Sequence, residues 1–454
     1  MDQVAKRVPI VYNNVMGYES TVTSPVNIAV VKYWGKRNSE LILPTNSSLS
    51  CTLSQDHLNT KTSIRASPSY TSDRLWLNGF EEDLYASARL TNCIRELRRL
   101  RKEKENELSS SDLASPENLE AAEHHVPPLS EWCIHVASEN NFPTAAGLAS
   151  SASGYAALVQ ALSNLYDLSI SLTQLSMIAR LGSGSACRSV YGGFVEWQAG
   201  ILPSGEDSYA VSVAPETHWP TLQALILVVS DKKKSTPSTS GMSTTVKTSE
   251  LFPIRISEVV PKRIIQMKEA ILQRDFTKFA LLTMKESNQF HAVCLDTYPP
   301  IFYMNDISRA IIKLVDLFNS QVDEITKKPK GIRVAYTFDA GPNAVIYAEK
   351  DVIKEFIELV MYFFPRGTGQ TSNSFFPDPF GLLKSSCSGN GNPSTTPAEA
   401  HSHPKFENYT PIMTRYEPGS IRRIIHTTIG DGPRVLDHSQ ALFNEAGMPK
   451  RVKD

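Results

Sequence analysis

The chain contains 454 residues and has a formal net charge of −1; 41% of its residues are hydrophobic and 20% are charged. This balance is typical of a soluble globular protein, and it provides no overall basic field that would attract nucleic acid or a membrane surface. The length exceeds what a single hydrophobic core requires, so two domains are expected. Recognition of any anion must therefore depend on local clusters of charge.

Six cysteines are scattered along the chain without a CxxC pair or a regular spacing. This pattern argues against a disulfide framework or a zinc site and is typical of a reducing compartment. The N-terminus has no apolar run long enough for a signal peptide, and the longest apolar run, LQALILVV at 222–229, is too short to span a bilayer. We therefore expect a cytoplasmic protein whose partners include neither membranes nor nucleic acid.

In the first half of the chain, segments of alternating apolar and polar residues are interrupted by segments with helical spacing. Alternation predicts strands, whereas apolar residues every three to four positions predict helices. The predicted strands are VNIAVVKYW, SLSCTLS, TKTSIRA, DRLWLNG, EWCIHVASE and YGGFVEWQ, and the predicted helices cover about 85–101, 155–165 and 171–181. The mixture indicates an α+β domain.

The second half has a different order of predicted elements. These are a strand at 222–229, a Ser/Thr-rich loop, three helices between 256 and 319, strands at 332–338 and 344–348, a helix at 351–364 and a last strand, IRRIIHTTI. The order β-α-β-β-α-β, with extra helices, is the signature of a ferredoxin-like domain. We therefore predict one domain at 1–215 and a second at 216–454.

Two segments lack the pattern of a packed domain. Residues 102–130 are charged, rich in serine and end in prolines, and residues 371–410 are rich in Ser, Pro, Gly and Asn. Segments of such composition bury too little apolar surface to become ordered. Both are predicted to be mobile insertions, one in each domain.

Two segments rich in glycine and serine could bind phosphate. PTAAGLASSASGYAAL, at 143–158, places small residues at a strand-to-helix turn, where backbone N–H groups and the helix N-terminus attract an anion. Its alternative interpretation is a serine N-cap followed by an alanine-rich helix. GSGSACRS, at 182–189, adds Arg188, which could bind an anion with two hydrogen bonds or could be a solvated arginine on a surface turn.

Three further segments place charged residues at the ends of predicted strands. SPVNIAVVKYWGKRN, at 24–38, carries Lys32 and other basic residues behind an apolar run, either to bind an anion or as a solvated strand end. SDKKKSTPSTSGMSTTVKTS, at 230–249, is basic and rich in hydroxyls and could reach over an anionic ligand, but Lys233 and Lys234 are interpreted as solvated loop residues. FDAGPNAVIY places Asp339 where a strand breaks into a turn, as a candidate base or as a structural turn residue.

The joint order of these segments is more specific than any one of them. Together with LPTNSSLSCTL and CLDTYPPIFYMND they resemble the diphosphomevalonate decarboxylases of the eukaryotic type, in the GHMP kinase superfamily, from about residue 21 to 365 and again at IIHTTIGDGPR. The resemblance implies an α+β GHMP kinase fold. In that fold an N-terminal domain of the ribosomal-protein-S5 type packs on a ferredoxin-like C-terminal domain, with the active site in the cleft between them.

The resemblance also implies a reaction. ATP phosphorylates the tertiary 3-hydroxyl of mevalonate 5-diphosphate, and phosphate and CO₂ then leave to give isopentenyl diphosphate. It implies ATP and Mg²⁺ as cofactors, without identifying the metal ligands, and a homodimer. The alternative is a small-molecule kinase of the same superfamily that acts on mevalonate or phosphomevalonate without decarboxylation; a non-catalytic binding protein is a further alternative.

The resemblance assigns roles to individual residues. Asp339 is the implied catalytic base, Lys32 lies beside it and the transferred phosphoryl group, and Arg188 contacts the carboxylate or diphosphate of the substrate. The other implied substrate-binding residues are Asn27, Tyr33, Trp34, Gly35, Lys36, Arg89, Ser183, Gly184, Ser185, Ala186, Cys187 and Thr239. The implied ATP-binding residues are Ala146, Gly147, Leu148, Ala149, Ser150, Ser151 and Ser153.

Overall fold

The computed structural model describes most of the chain. The described residues are 7–12, 15–112, 127–142, 150–232, 234–323, 325–383, 406 and 409–453. Within these residues, no helix is both long enough and apolar enough to cross a membrane. The segment 143–149 of the predicted glycine-rich loop, and the central parts of both predicted insertions, lie outside the described residues.

The first half of the chain contains twelve described strands and four described α-helices. The strands are β1 (Val8–Tyr12), β2 (Val15–Pro25), β3 (Asn27–Val31), β4 (Lys36–Asn38), β5 (Leu43–Pro44), β6 (Ser48–Thr52), β7 (Asn59–Ser67), β8 (Arg74–Leu77), β9 (Phe80–Glu82), β10 (Cys133–Asn140), β11 (Phe194–Trp197) and β12 (Ala210–Ala214). The helices are α1 (Ala88–Asp112), α2 (Ser150–Leu165), α3 (Leu172–Gly182) and α4 (Ala186–Ser189). One sheet has the order β1-β2-β7-β10-β8-β9, another has the order β12-β11-β6-β3, and β4 pairs with β5.

Helix α2 packs its apolar face on the first of these sheets. Ala156, Val159 and Leu162 lie at helical spacing and are buried in one cluster with Ile64 of β7 and Val136 of β10. This packing fixes the direction of α2 and therefore the position of the serines in its first turn.

The second half forms a ferredoxin-like domain, as predicted. The elements of the second half are β13 (Leu222–Val228), α5 (Ser238–Thr248), α6 (Leu251–Ile254), a π-helical turn (Arg255–Val259), α7 (Val260–Gln273), α8 (Phe276–Asp296), α9 (Asp306–Asn319), β14 (Val334–Phe338), β15 (Ala344–Glu349), α10 (Lys350–Phe363), α11 (Ser372–Phe375), β16 (Arg423–Thr428) and β17 (Arg434–Val435), of which β17 lies outside the ferredoxin-like sheet. The sheet order β14-β15-β13-β16, with antiparallel pairs throughout, is that of a β-α-β-β-α-β unit. Every residue of strand β13 is buried, and all but Gln223 are apolar.

The two halves share a hydrophobic core. Ile28 and Val31 of β3 belong to the same buried cluster as Ile264 and Met267 of α7 and Phe279 of α8. Strand β3 therefore ends against helices of the second half, and the residues that follow it face the boundary between the two halves.

The structure differs from the sequence predictions in two helical regions. Helix α1 continues to Asp112, so residues 102–112, predicted to lack regular structure, are helical. Pairs one turn apart stabilise this charged stretch, such as Arg101 with Glu105 at 2.7 Å. The Ser/Thr-rich loop contains α5, because Met242 and Thr245 are buried on one face of the helix.

The C-terminal segment of the chain packs on the first domain and not on the second. Strand β17 pairs with β2 of the first half, and Phe443 packs edge-on to Trp76 of β8 at 6.4 Å between ring centroids. The Arg65 guanidinium donates to the Asn444 carbonyl at 2.9 Å. The predicted domain at 216–454 therefore includes a terminal segment that packs on the first domain.

Candidate active site

A cleft of about 570 Å³ lies between the two halves, and it brings together most of the residues singled out from the sequence. The predicted site residues that line it are Asn27, Lys32, Tyr33, Trp34, Lys36, Arg89, Ser150, Ser151, Ser183, Gly184, Ser185, Arg188, Thr239 and Asp339. They come from six separate stretches of sequence and from both halves of the chain. A cleft of this volume accommodates small-molecule ligands.

Lys32 and Asp339 meet in this cleft. Lys32 follows β3 directly, is 3% exposed and donates from Nζ to Oδ1 of Asp339 at 2.5 Å. Asp339 follows β14, and its carbonyl accepts the Gly341 N–H at 2.7 Å, which fixes the start of the turn. The carboxylate is one third exposed and therefore accessible to a ligand. The two halves thus contribute opposite charges to one point.

Arg188 is a buried cation whose hydrogen bonds go to neutral groups. It lies in the single turn of α4 and is 2% exposed. Its Nε donates to Asn27 Oδ1 at 3.2 Å and to Ser50 Oγ at 2.9 Å, and its Nη1 donates to Ser48 Oγ. No carboxylate forms an ion pair with it among the described residues, and burial lowers the pKa of its guanidinium below the ordinary value. Since buried charges are normally paired, this arrangement favours an anionic ligand.

More basic and hydroxyl groups lie toward the opening of the cleft. Lys36 is half-buried, and burial together with the positive charge of Arg89 lowers the pKa of its ammonium to about 8. Arg89, in the first turn of α1, donates from Nη2 to Thr239 Oγ1 at 2.9 Å. Lys234 donates from Nζ to Ser238 Oγ at 2.9 Å and also lines the cleft. These separated donors suit the several oxygens of a diphosphate.

Trp34 and Gly35 shape the cleft through packing. The Trp34 indole N–H donates to Thr245 Oγ1 at 3.0 Å, and its ring packs edge-on to Phe290 at 4.9 Å between centroids. Gly35 has a φ of +90°, and a Cβ atom there would lie 2.5 Å from the Phe252 ring. Any larger residue at this position would therefore displace Phe252, which belongs to the same buried cluster as Trp34.

Tyr33 and Gly184 are fitted to each other on the opposite wall. The Tyr33 ring packs edge-on to Trp197 at 4.7 Å between centroids, and a Cβ on Gly184 would lie 2.7 Å from the Trp197 ring. Burial raises the pKa of the Tyr33 hydroxyl above its ordinary value, so this group is a neutral donor. The hydroxyl has no hydrogen-bond partner among the described residues and is available to a ligand.

Some predicted site residues do not reach the cleft. Ala186 and Cys187 are fully buried in two hydrophobic clusters, where they hold the turn that carries Arg188. Ser153 lies on the inner face of α2 and hydrogen-bonds Thr60 Oγ1 at 2.6 Å. Ala146, Gly147, Leu148 and Ala149 lie outside the described residues.

The structure adds site residues that the sequence interpretation missed. Ser48 and Ser50 bond Arg188, and their alternation in SLSCT, which places both on one face of β6, was a usable signal. Lys234 was taken as solvated. Phe290 and Met242 line the cleft as apolar groups, for which no local sequence signal exists.

A second cavity, of about 400 Å³, adjoins the cleft. Ser150 and Ser151 line both spaces. Its other walls come from β7, β8, β10 and α2, and include Thr62, Asn78 and Leu158. The first turn of α2 therefore separates the basic cleft from a space with a mixed polar and apolar lining.

Two sequence models of one family match most of the chain. The Diphosphomevalonate decarboxylase-like N-terminal domain matches residues 24–210, and the Mevalonate 5-diphosphate decarboxylase C-terminal domain matches residues 224–436. The chain belongs to the diphosphomevalonate decarboxylase family. It is 51% identical to the diphosphomevalonate decarboxylase of Ganoderma lucidum, over 95% of this chain and 99% of that protein.

Solved structures of diphosphomevalonate decarboxylases have the same fold. The X-ray crystal structure of a mevalonate 5-diphosphate decarboxylase is 43% identical, covers 95% of this chain and 100% of its own, and superposes with a TM-score of 0.74. A structure described as MDDEF in complex with MVAPP, AMPPCP and magnesium is 26% identical, covers 93% of this chain and 99% of its own, and has a TM-score of 0.65. The predicted family and GHMP kinase fold are therefore confirmed.

Proposed function

We propose that this chain catalyses the ATP-dependent decarboxylation of mevalonate 5-diphosphate to isopentenyl diphosphate, with release of ADP, phosphate and CO₂. The observation that carries the proposal is the contact of Lys32 Nζ with Asp339 Oδ1 at 2.5 Å inside a cleft lined by cations. Membership of the diphosphomevalonate decarboxylase family supports the same reaction.

Asp339 is the general base in the proposed first step. A tertiary alcohol is a poor nucleophile, so Asp339 takes the proton of the 3-hydroxyl as that oxygen attacks the γ-phosphoryl group. Lys32 holds the carboxylate by its Oδ1 and places a positive charge next to the phosphoryl group in transfer. Both groups follow buried strands, so their geometry is set before the substrate binds.

The second proposed step is an elimination. The bond from the carboxylate to the adjacent carbon breaks, its electron pair forms the new double bond, and the C–O bond to phosphate breaks. Positive charge builds on the tertiary carbon, so cations must contact the phosphates and not this carbon. The apolar wall that includes Phe290, Met242 and Ile42 provides a surface without charge for the carbon skeleton.

The remaining polar groups of the cleft hold the substrate. We assign Arg188, with Asn27 as its supporting partner, to the carboxylate or diphosphate of mevalonate 5-diphosphate, since Arg188 has no described ion-pair partner. The diphosphate is assigned to the groups nearer the opening, to the Tyr33 hydroxyl and to the donors of the 183–185 turn that line the cleft. These groups are Tyr33, Lys36, Arg89, Ser183, Gly184, Ser185, Lys234 and Thr239.

ATP and Mg²⁺ are the proposed cofactors. The nucleotide is assigned to the second cavity, with its phosphates crossing the first turn of α2 at Ser150 and Ser151. No group of three His, Cys, Asp or Glu side chains that could hold a metal occurs in the described part of the chain. Mg²⁺ commonly retains waters and is bound by substrate phosphates with few protein oxygens, so the two serine hydroxyls and the nucleotide phosphates fit it.

The decisive experiment is a product assay. Purified protein is incubated with ATP, Mg²⁺ and mevalonate 5-diphosphate, and ADP and CO₂ are measured in the same reaction. We expect equal amounts of both products. Formation of ADP without CO₂ would contradict the decarboxylation. If neither product forms, parallel incubations with mevalonate and phosphomevalonate distinguish a kinase of the same superfamily, which forms ADP from one of them, from a binding protein, which does not.

Assembly and location are parts of the same proposal. We propose a cytoplasmic homodimer that supplies isopentenyl diphosphate for isoprenoid and sterol synthesis, with neither membranes nor nucleic acid as partners. The family resemblance supports the dimer, and the net charge of −1 agrees with the absence of a nucleic-acid partner. Sedimentation or light scattering at several protein concentrations tests the dimer.

A further inference from the structure

The second half of the chain holds the backbone of Lys32 as well as its side chain. The Lys32 N–H donates to Glu286 Oε1 at 3.0 Å, and the Lys32 carbonyl accepts from Arg255 Nη2 at 3.1 Å. Asn46, from the first half, donates to the same carbonyl at 3.0 Å. Both backbone polar groups of a residue just past the end of β3 are therefore bound by side chains.

Glu286 is the centre of this arrangement. It lies on α8, is fully buried and forms ion pairs with Arg255 and with Arg263. Burial alone would raise the pKa of Glu286, but the two arginines lower it below its ordinary value, so the carboxylate is ionised. Arg255 is also fully buried and donates from Nη1 to Gln289 Oε1 at 2.7 Å.

The local backbone is irregular where Arg255 enters the core. Residues 255–259 form a π-helical turn between α6 and α7. Such turns are uncommon, and they frequently occur at functional sites because the extra residue redirects a side chain. Here the first residue of the turn is Arg255, which is directed inward to Glu286 and to the Lys32 carbonyl.

We infer that Glu286 and Arg255 are positioning residues for Lys32, and that they fix its backbone so that Nζ meets Asp339. The inference rests on the proposed function, in which Lys32 acts at the transferred phosphoryl group. A buried ion pair is weak evidence for a role in stability, because desolvation offsets much of its attraction. Glu286 and Arg255, however, bind the N–H and the carbonyl of Lys32, and these two hydrogen bonds indicate that the pair positions Lys32.

The positioning role has a distinct kinetic consequence. A loosened Lys32 backbone misplaces Nζ relative to the reacting phosphoryl group, whereas the groups that bind the diphosphate stay where they are. Misplacement by about 1 Å can lower a rate by roughly 100-fold. The loss should therefore occur in kcat, with little change in the KM for either substrate.

Two conservative variants test this inference. Glu286→Gln keeps an acceptor for the Lys32 N–H but removes the charge that holds Arg255. Arg255→Lys keeps the positive charge but removes the planar fork that reaches Glu286, Gln289 and Lys32 together. For each variant we expect kcat to fall roughly 10- to 100-fold, with both KM values within about threefold of the wild type.

Glu196→Gln is the matched control. Glu196 of β11 pairs with Lys268 of α7 at 2.8 Å, so this variant also removes an ion pair between the two halves, but at a distance from Lys32. It should lower the thermal midpoint and leave kcat unchanged. The thermal midpoint of every variant is measured beside its kinetics, so that a loss of kcat is compared with a known loss of stability.

A double variant separates positioning from an independent effect. In single-turnover measurements at high enzyme concentration, adding Glu286→Gln to Lys32→Met should lower the rate by no more than about twofold, because Glu286 acts through Lys32. Three results would overturn the inference: kcat near wild type in both single variants, a loss confined to KM, or losses that multiply in the double variant. If neither single variant folds, the pair is a stability element and the positioning role is rejected.

Failure of the inference can be told apart from failure of the proposed function. The wild type is assayed first for ADP and CO₂, and this result alone decides the proposed reaction. If the wild type forms ADP without CO₂, the same ratios among the variants are measured on ADP formation. The positioning of Lys32 is tested in either case, because it concerns phosphoryl transfer.

Discussion

The two ends of the cleft are built in different ways. The inner end, formed by Lys32, Arg188 and Asp339, has its two cations 3% and 2% exposed and bound to partners on several strands and helices. The rim, formed by Lys36, Arg89, Lys234 and Thr239, consists of half-buried and exposed side chains. Each rim contact joins only two side chains, as in the hydrogen bond from Arg89 to Thr239 at 2.9 Å.

The difference in burial between the inner end and the rim suits two different roles, catalysis at the inner end and substrate binding at the rim. A catalytic group must be held in position before the reaction, and burial in a hydrogen-bonded network achieves this. A diphosphate is flexible and highly charged, so long basic side chains can adjust to it. We therefore expect changes at the inner end to lower kcat and changes at the rim to raise KM.

The largest effect is expected at Asp339. Asp339→Asn keeps the size of the side chain and a hydrogen-bonding oxygen, but it removes the base. We expect kcat to fall by about 10²- to 10⁴-fold, the usual contribution of general base catalysis, with nearly unchanged binding of AMPPCP by calorimetry. Asp351→Asn, at an exposed position in the first turn of α10, is the control and should keep full activity. Near-normal turnover of Asp339→Asn would remove Asp339 from the chemistry.

A smaller loss is expected at Arg188. Arg188→Lys keeps the charge, but an ammonium cannot reproduce the planar fork that contacts Asn27, Ser48 and Ser50. We expect kcat/KM for mevalonate 5-diphosphate to fall by roughly 100-fold, because the buried positive charge is no longer held in the orientation that binds the substrate.

A matched buried arginine serves as the control for this loss. Arg180 is also buried, at 4% exposure, and it donates to the Gly205 carbonyl at 2.8 Å in a region outside the cleft. Arg180→Lys should lower the thermal midpoint without changing kcat/KM. Equal kinetic losses in Arg180→Lys and Arg188→Lys would mean that the effect is one of folding.

The sequence predicted those parts of the molecule that depend on local pattern. Alternation and helical spacing predicted the order of strands and helices along the second domain. The order of the motifs, through the family resemblance, singled out Lys32, Arg188 and Asp339, which the structure brings to one cleft. The partners of Lys32 could not be found in this way. Arg255 and Glu286 lie 223 and 254 positions away along the chain, and no local pattern specifies contacts at such a distance.

Amino-acid composition alone predicted the structure poorly in two charged segments of the chain. The charged stretch after residue 101 was predicted to lack regular structure, yet helix α1 continues to Asp112, and an ion pair one turn apart joins Arg101 and Glu105 within it. Lys234 was interpreted as a solvated loop residue; it is exposed, as expected, but it also lines the cleft. In both regions the structure depends on where each charge points, and composition does not carry that information.

The rim should respond to pH through Lys36. Its pKa is lowered to about 8 because burial and the charge of Arg89 favour the neutral amine. The charged fraction therefore falls as the pH rises through 8, and the KM for mevalonate 5-diphosphate should rise several-fold, to about tenfold, between pH 7 and 9.5. Lys36→Arg keeps its charge over this range and should give a flat KM profile, and Lys36→Ala should give a high KM at every pH. A rise of the same size in Lys36→Arg would assign the titration to another group.

The smallest effect is expected at Thr239. Thr239→Val keeps the shape of the side chain but removes the oxygen that accepts from Arg89, whereas Thr239→Ser retains it. Because Thr239 is exposed, water replaces most of the lost interaction, and we expect the KM for mevalonate 5-diphosphate to rise only about two- to fivefold with kcat unchanged. Steady-state kinetics of the two variants at one pH and ionic strength measure this difference. A fall in kcat in Thr239→Val that is absent in Thr239→Ser would contradict this expectation. Arg89 and Thr239 come from opposite halves of the chain, so their hydrogen bond would then control how closely the halves approach. In that case the rim would also order the inner end of the cleft.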